Sequence, residues 1–423
     1  MKWLFIFIGL LFTAYLTAQD GLSLGWDIDS IFDEPLPESS PNFSQEEAET
    51  GSLPIGSLIQ QRGIFFEAAY EFNLGIAPGW RTPPWYSGKN EEDPHVERFM
   101  NMKGSFTIDA QISEVFRTRS TVNYEIPKFQ PGLGDFFFDY KVYDVVFFRG
   151  GKYNISWGIS PNYGYTNLLS RVPDEKYIYD PFILKADVPV GKGGFQALTL
   201  TRIDLIYDPK LPKWEDFAIG GKYNLALPQV DLDTGFFYQE GMDLRFFLSL
   251  KTTLWKTEFY GEGLVAVDVD KPTNISGAGS FGFGRDFFDD RFNVNGELFY
   301  NAERKTYLYH PETNIREART SEFIEDLNLA LNLLCKPWDI GNPRLILRTL
   351  YAPMQHSAQF IPGFRLSPLK HLEFYLATPM SLGNKNGYYY KNTPTVVDNE
   401  TSLPFAVIFM ITLKGSIQFG RHF

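Results

Sequence analysis

The feature that most constrains this chain is an alternation of apolar and polar residues held over whole segments. Ile64, Phe66, Ala68, Tyr70, Phe72, Leu74 and Ile76 alternate with Phe65, Glu67, Ala69, Glu71, Asn73 and Gly75. Successive side chains of an extended strand point to opposite faces, so a period of two predicts one apolar face and one mostly polar face. Met100–Ile112, Phe217–Leu227, Met242–Leu254 and Phe292–Tyr300 repeat the pattern. Weaker copies lie at Phe116–Ile126, Asp135–Phe148, Lys152–Trp157, Phe195–Tyr207, Val230–Tyr238, Thr257–Ala266, Ile275–Phe287, Leu327–Leu334, Leu345–Tyr351, Ala358–Leu366, Leu372–Thr378 and Phe405–Phe423. Together they predict an all-β chain of about sixteen strands, within a range of roughly 14 to 18. No segment shows a helical period, and the lack of a fixed-length repeat counts against a propeller or solenoid.

Alternation also suits a soluble β-sandwich, and the length of the runs separates the two. Several hold for 11 to 13 residues, whereas soluble strands average about 5–6 and a tilted strand crossing a bilayer needs about 9–11. Within hydrocarbon every backbone N–H and C=O must be paired, so strands can span only as a closed antiparallel barrel. Composition agrees with an ordered chain, since 17% aromatic against 21% charged residues is too apolar for disorder. After Leu16 no apolar stretch reaches the roughly 20 residues of a spanning helix, the densest being Phe405–Leu413. A single cysteine, Cys335, excludes an intrachain disulfide, and a net charge of −12 offers nothing to nucleic acid.

Met1-Lys2 is a short basic start, Trp3–Leu16 an apolar run, and Leu16-Thr17-Ala18 a cleavage point before Gln19. Residues 1–18 are therefore expected to be a secretory signal peptide. Residues 19–61 carry nine acidic residues, from Asp20 to Glu49, and no Lys or Arg. They hold no sustained period and are expected to be an acidic tail or a plug in a barrel lumen. Residues 62–423 are then the transmembrane barrel. A signal with no later spanning helix fits a chain that passes an inner membrane and closes in an outer one.

The carboxyl end adds a recognisable motif. Phe405, Val407, Phe409, Ile411, Leu413, Ile417 and Phe419 share the parity of the final Phe423. This resembles the terminal strand of bacterial outer-membrane β-barrel proteins, which typically ends in Phe with apolar residues at alternate preceding positions. Arg421 and Gly415 depart from that pattern. The resemblance implies a place in the bacterial outer membrane, contact with its lipids, and recognition by the barrel-insertion machinery through Phe419 and Phe423.

The opposite strand faces supply a polar lumen, which makes porin-like diffusion of small hydrophilic solutes the leading expectation. By parity, Glu67, Glu71, Lys103, Asp109, Arg117, Arg119, Asp231, Asp233, Arg245, Arg344 and Arg348 point inward, because Arg or Lys facing lipid at the midplane costs about 2–4 kcal/mol. Mixed signs would set a transverse field across the bore and an ion preference, although any one of them can equally be a plain solvated wall residue. The segment Gly158–Gly194 is long for a connection and carries Arg171, Asp174, Glu175, Lys176, Asp180, Lys185 and Asp187. It resembles, in length and charge, the porin loop that folds inward and narrows the bore; an ordinary surface loop is the alternative. Ala77–Phe99 and Asn301–Ser321 are further loops, and the cluster Trp80, Pro83, Pro84, Trp85 suits a binding surface or a membrane-interface girdle.

Other functions are less well supported by these residues. A plugged transporter invites comparison with the long-chain fatty-acid transporter family, but the Asn-Pro-Ala signature is missing from 19–61. A surface adhesin or structural barrel with a filled lumen is the non-transport alternative. An enzyme is not expected: His356-Ser357 would need both side chains on one face, and neighbours on a strand face opposite ways. Gly277-Ala278-Gly279-Ser280-Phe281-Gly282 lacks the helix a dinucleotide site requires, and Asp286, Asp289 and Asp290 miss the calcium-loop spacing. No cofactor or metal is expected, and the expected partners are outer-membrane lipids, the insertion machinery and small solutes.

Overall fold

The computed structural model describes residues 63–81, 94–127, 131–143, 145–153, 155, 157–163, 181–202, 217–239, 243–269, 271–302, 305–310, 315–320, 326–391, 396–397 and 401–422. The wall begins with β1 (Gly63–Trp80), β2 (His95–Ser113), β3 (Phe116–Ile126), β4 (Gly132–Val142), β5 (Val146–Lys152) and β6 (Pro181–Val190). It continues through β7 (Gly193–Arg202), β8 (Phe217–Leu227), β9 (Val230–Gln239), β10 (Leu244–Leu254), β11 (Thr257–Val267), β12 (Ile275–Phe287) and β13 (Phe292–Asn301). A separate hairpin, β14 (Lys305–His310) and β15 (Ile315–Thr320), leads to β16 (Asp326–Cys335), β17 (Arg344–Ala352) and β18 (Ser357–Leu369). Then come β19 (Leu372–Ala377), β20 (Met380–Gly383), the small hairpin β21 (Val396–Val397) and β22 (Thr401–Ser402), β23 (Phe405–Ala406) and β24 (Ile408–His422).

Every wall pairing is antiparallel, and β24 closes the ring on β1 with Gly63 opposite His422 and Ile76 opposite Phe409. β19 and β20 are two halves of one wall strand, and so are β23 and β24, so the barrel has 18 strands. The first break falls at Thr378-Pro379, where proline removes a backbone donor. The bonds Thr378 N to Pro362 O at 2.9 Å and Ala406 N to Pro379 O at 3.2 Å carry the ladder across it.

The count of about sixteen is close, and the two departures have local causes. Asp135–Phe148 reads as one run but is β4 and β5 around a turn at Tyr143, whose φ of 50° reverses the chain. Pro181–Val190 is a full wall strand, although its two prolines and two charges make it read as loop. Lys152–Trp157, by contrast, leaves the wall after Lys152.

The two faces sort as the alternation requires. Phe66, Tyr70, Leu74, Phe106, Ile108, Leu248, Phe281 and Leu298 are exposed on the convex side, where lipid would cover them. Residues of opposite parity, such as Asn73, Thr107, Ser249 and Asn295, are buried on the concave side. One end is closed by tight connections such as Gly191–Lys192, Pro228–Gln229 and Trp255–Lys256; the other carries the longer ones. This is the short-turn and long-loop asymmetry of outer-membrane barrels.

Candidate functional site

Near the turn end the concave face carries a belt of ion pairs that passes from strand to strand. Arg117 Nε and Nη2 donate to Asp109 at 2.9 and 2.5 Å across β2 and β3, and Arg149 does the same to Asp139 at 2.6 and 3.0 Å across β4 and β5. Lys185 meets Asp187 at 2.9 Å, Lys222 meets Asp233 at 3.0 Å, and Lys251 meets Glu258 at 2.9 Å. These side chains are all between 18 and 32% exposed, which marks a partly wetted wall and neither a dry core nor an outer surface. On the far side Glu373 gathers Arg365 and Lys414, each at 2.7 Å, together with the Tyr375 hydroxyl.

The charged residues expected to face inward all lie on this concave parity. Glu67 accepts from Gln418 at 2.9 Å and Glu71 from Asn73 at 2.6 Å. Lys103 stands opposite Glu71, Arg119 opposite Asp109, and Asp231 opposite Lys251. Arg245 is buried opposite Phe237 and Ala266, and Arg344 faces Arg365 across β17 and β18. Lys185 and Asp187 require a correction: they belong to the wall strand β6, not to a constriction loop. Arg171, Asp174, Glu175 and Asp180 lie outside the described residues, as do residues 1–18, expected to be a signal peptide, the 19–61 segment and Phe423. Phe419 points outward from β24 and stacks on Phe66 at 5.2 Å. His356 is exposed at φ 50° while the adjoining Ser357 is buried, so the two do not form a nucleophile and base.

Toward the loop end the same concave face turns apolar. Ile183, Leu198, Leu200, Ala218, Phe237, Phe247, Leu264, Ala278 and Phe299 form one buried cluster, and Trp157 sits on it at 1% exposure. Trp157 belongs to the segment that follows β5, which turns into the barrel and lies along the inner wall. Its ring packs 5.5 Å from Phe247, and its indole N–H donates to Gln196 at 2.5 Å. Gln196 in turn donates to Asp187 at 2.8 Å, tying the segment to the ion belt. A Cβ on Gly220 would lie 2.8 Å from the Trp157 ring, so the close seat depends on glycine there.

Two wall carboxylates then hold the segment down. Glu262 of β11 accepts from the backbone N–H of Ile159 and, at 3.0 Å, from that of Ser160. Glu297 of β13 accepts from the Ser160 hydroxyl, from Asn162 N at 3.1 Å and from Asn162 Nδ2 at 2.9 Å. Asn332 of β16 donates to Asn162 Oδ1 at 2.6 Å. A connection with unpaired backbone amides would be costly inside a barrel; here charged acceptors on the wall satisfy them. The strap thus runs from β5 to β16 over half the ring. Tyr163 stacks 4.8 Å from Phe299.

A second inward element meets it there. The helical turn Tyr388–Lys391, in the connection between β20 and β23, buries Tyr389 against Ala330, Leu350 and Ala352. The Tyr163 and Tyr389 hydroxyls are 3.2 Å apart. Arg348 lies beside both tyrosines and Glu297, and its Nε is buried with no hydrogen-bond partner among the described residues. Sequence reasoning found Arg348 but missed Glu262, Glu297, Trp157 and Asn162. Nothing local marks Glu262 or Glu297 out from the other polar inward residues of β11 and β13, because their partners lie over 100 positions away.

No protein-family model matches the chain, and no curated protein matches it in sequence. Solved structures do match in shape. Pseudomonas aeruginosa OccD3 (OpdP) aligns over 88% of this chain and 98% of its own at 9% identity, with a TM-score of 0.52. Acinetobacter baumannii OccAB4 aligns over 86% and 100% at 9% identity and 0.52. Pseudomonas aeruginosa OccK11 (OpdR) aligns over 84% and 98% at 8% identity and 0.50. With its apolar outer belt, closed antiparallel ring and inward strap, the chain has the fold of a porin-like bacterial outer-membrane β-barrel.

Proposed function

We propose that this barrel is a passive channel for small hydrophilic solutes, narrowed by the strap 157–163 and lined at the turn end by the mixed-charge belt. The observation that carries this reading is the fixing of the strap to the inner wall by Glu262 and Glu297. A barrel built only to display loops has no need of charged acceptors for a chain segment inside it. The strap covers part of the apolar inner wall, with Trp157 and Tyr163 packed on the cluster that includes Phe247 and Phe299. Paired charges of both signs, Arg117 with Asp109, Lys222 with Asp233 and Lys251 with Glu258, line the path side by side and set a local field across it. Such a field orders dipolar solutes and weights the two ion signs differently.

The test is single-channel conductance of the folded mature protein in a planar bilayer, with and without residues 19–61. Steady conductance of the full mature chain is the expected result. Conductance only after the deletion makes 19–61 a plug, and silence of both forms overturns the channel in favour of an adhesin or structural barrel.

A further inference from the structure

Three polar side chains on the inner wall near the loop end take no part in the ion belt or in fixing the strap. Ser357 and Gln359 of β18 and Ser381 of β20 are 0, 5 and 3% exposed. The two hydroxyls and the Gln359 amide nitrogen have no hydrogen-bond partner among the described residues. They form one patch, because Gln359 stands opposite Ser381 and Ser357 opposite Gly383. Buried polar groups are nearly always paired, since an unmet donor or acceptor costs free energy. Small or apolar residues avoid that cost on the neighbouring wall, where Ala330, Leu350 and Ala352 pack against Tyr389. Three unmet groups side by side make a surface suited to something that brings its own donors and acceptors.

The patch is covered by the helical turn Tyr388–Lys391, which rests on β17, β18 and β20. Gly387, just before the turn, lies so close that a Cβ there would collide with that of Ser357. The turn is fastened at its margin: Tyr388 N donates to Gln355 Oε1 at 2.7 Å and Asn384 N to His356 O at 2.8 Å. It gives the three floor groups no hydrogen bond, so over the floor its hold is the apolar packing of Tyr389, and the floor is better satisfied when the turn lifts. The chemistry of the floor selects the occupant. Each hydroxyl can give and accept a bond and the amide nitrogen gives one, while the positions paired with Ser357 and Gln359, namely Ala352, Leu350, Gly383 and Ser381, carry no charge. Arg348, at the next inward position of β17, lies beside Glu297, which offsets its charge. Tyr388 and Tyr163 pack at the edge of the same site and supply ring surface. We propose that the turn Tyr388–Lys391 is a lid over a binding subsite for a neutral, hydroxyl-rich solute, a polyol or sugar, whose hydroxyls pair with Ser357, Gln359 and Ser381 while its carbon face lies on the tyrosine rings. This names a solute class for the proposed channel and rests on that reading for transport; the binding itself does not require conduction.

The test is a saturation-transfer NMR titration of the folded mature protein, in a detergent without a sugar headgroup, with glucose and with glucuronate, the same ring bearing a carboxylate. Glucose is expected to bind, and glucuronate to bind at least about tenfold more weakly because its charge finds no partner on the floor. Gln359→Leu and Ser381→Ala each remove one floor group and should weaken glucose about 2- to 10-fold, while Ser249→Ala, on β10 away from the lid, should leave it unchanged. The same two variants relieve an unmet buried group, so hydrogen exchange of the amides in 384–391 should slow; Ser381→Ala loses only a hydroxyl and keeps the test open should Gln359→Leu not fold. Faster exchange in the folded variants overturns the lid, because the floor would then be holding the turn down. Glucuronate binding as tightly as glucose overturns the neutral class and moves recognition to Arg348. Unchanged glucose binding in the folded variants, or no transfer to glucose at all, overturns the subsite. A protein that binds glucose but is silent in a bilayer keeps the subsite and loses the channel, and one that conducts without binding does the reverse.

Discussion

Releasing the strap should change the current through the barrel without unfolding it, and the size of the effect follows from the hydrogen bonds at Glu297. One of its oxygens accepts from Asn162 N at 3.1 Å, Asn162 Nδ2 at 2.9 Å and Tyr260 OH at 3.3 Å, and the other accepts from the Ser160 hydroxyl. Glu297→Gln keeps the shape, replaces one oxygen by an amide NH2 and removes the charge. At least one charge-assisted bond is lost, worth about 1.5–3 kcal/mol. That raises the population of the lifted strap by about 10- to 100-fold. Trp157 and the apolar cluster still hold the other end, so the main conductance level should stay and brief upward excursions should become more frequent by that factor. Glu262→Gln together with Glu297→Gln loosens both anchors and should raise the mean conductance itself. The assay is single-channel recording on protein first shown to be folded by its resistance to unfolding in detergent without heating. An unchanged record from the folded double variant would refute the strap as the constriction, because its backbone amides would then have lost their charged acceptors with no consequence for the path.

Other perturbations separate the parts of the site. Trp157→Ala empties a seat buried to 1% and should cost the strap about 3–5 kcal/mol of packing, giving a larger steady conductance while the β signal of the wall in circular dichroism stays. Arg117→Ser with Arg119→Ser frees Asp109 from its 2.5 Å ion pair and should move the reversal potential under a salt gradient toward cation preference; an unmoved potential would take this arc out of the path. Glu373→Gln strips the shared charge from Arg365 and Lys414, both at 2.7 Å, and should move it the opposite way, more at low salt than at high. Tyr389→Phe removes the hydroxyl 3.2 Å from Tyr163 and should leave selectivity alone while altering the frequency of brief current fluctuations; a shift in ion preference instead would contradict the assignment of this contact to holding the two inward elements together.

Much of the architecture was legible in the chain itself. The odd and even positions of β1 and β2, Glu67 and Lys103 on one side and Phe66 and Phe106 on the other, commit those strands to one apolar and one polar face whatever their neighbours are. Runs longer than a soluble sheet uses then call for a bilayer, and a bilayer calls for closure. The inward parity of Glu71, Asp109, Arg117 and Asp233 follows from the same rule. A period of two says nothing, however, about which segment between strands turns inside. Lys185 and Asp187 looked like loop charges because prolines flank and interrupt their strand, and only pairing with β5 and β7 shows them to be wall. The inward strap is decided by contacts between residues far apart in the chain: Ser160 to Glu262 spans 102 positions, Asn162 to Asn332 spans 170, and Tyr163 to Tyr389 spans 226. Local propensity carries no information at those separations. Ring closure sets which strands face each other across the bore, and so it alone places two wall carboxylates beneath the backbone amides that need them.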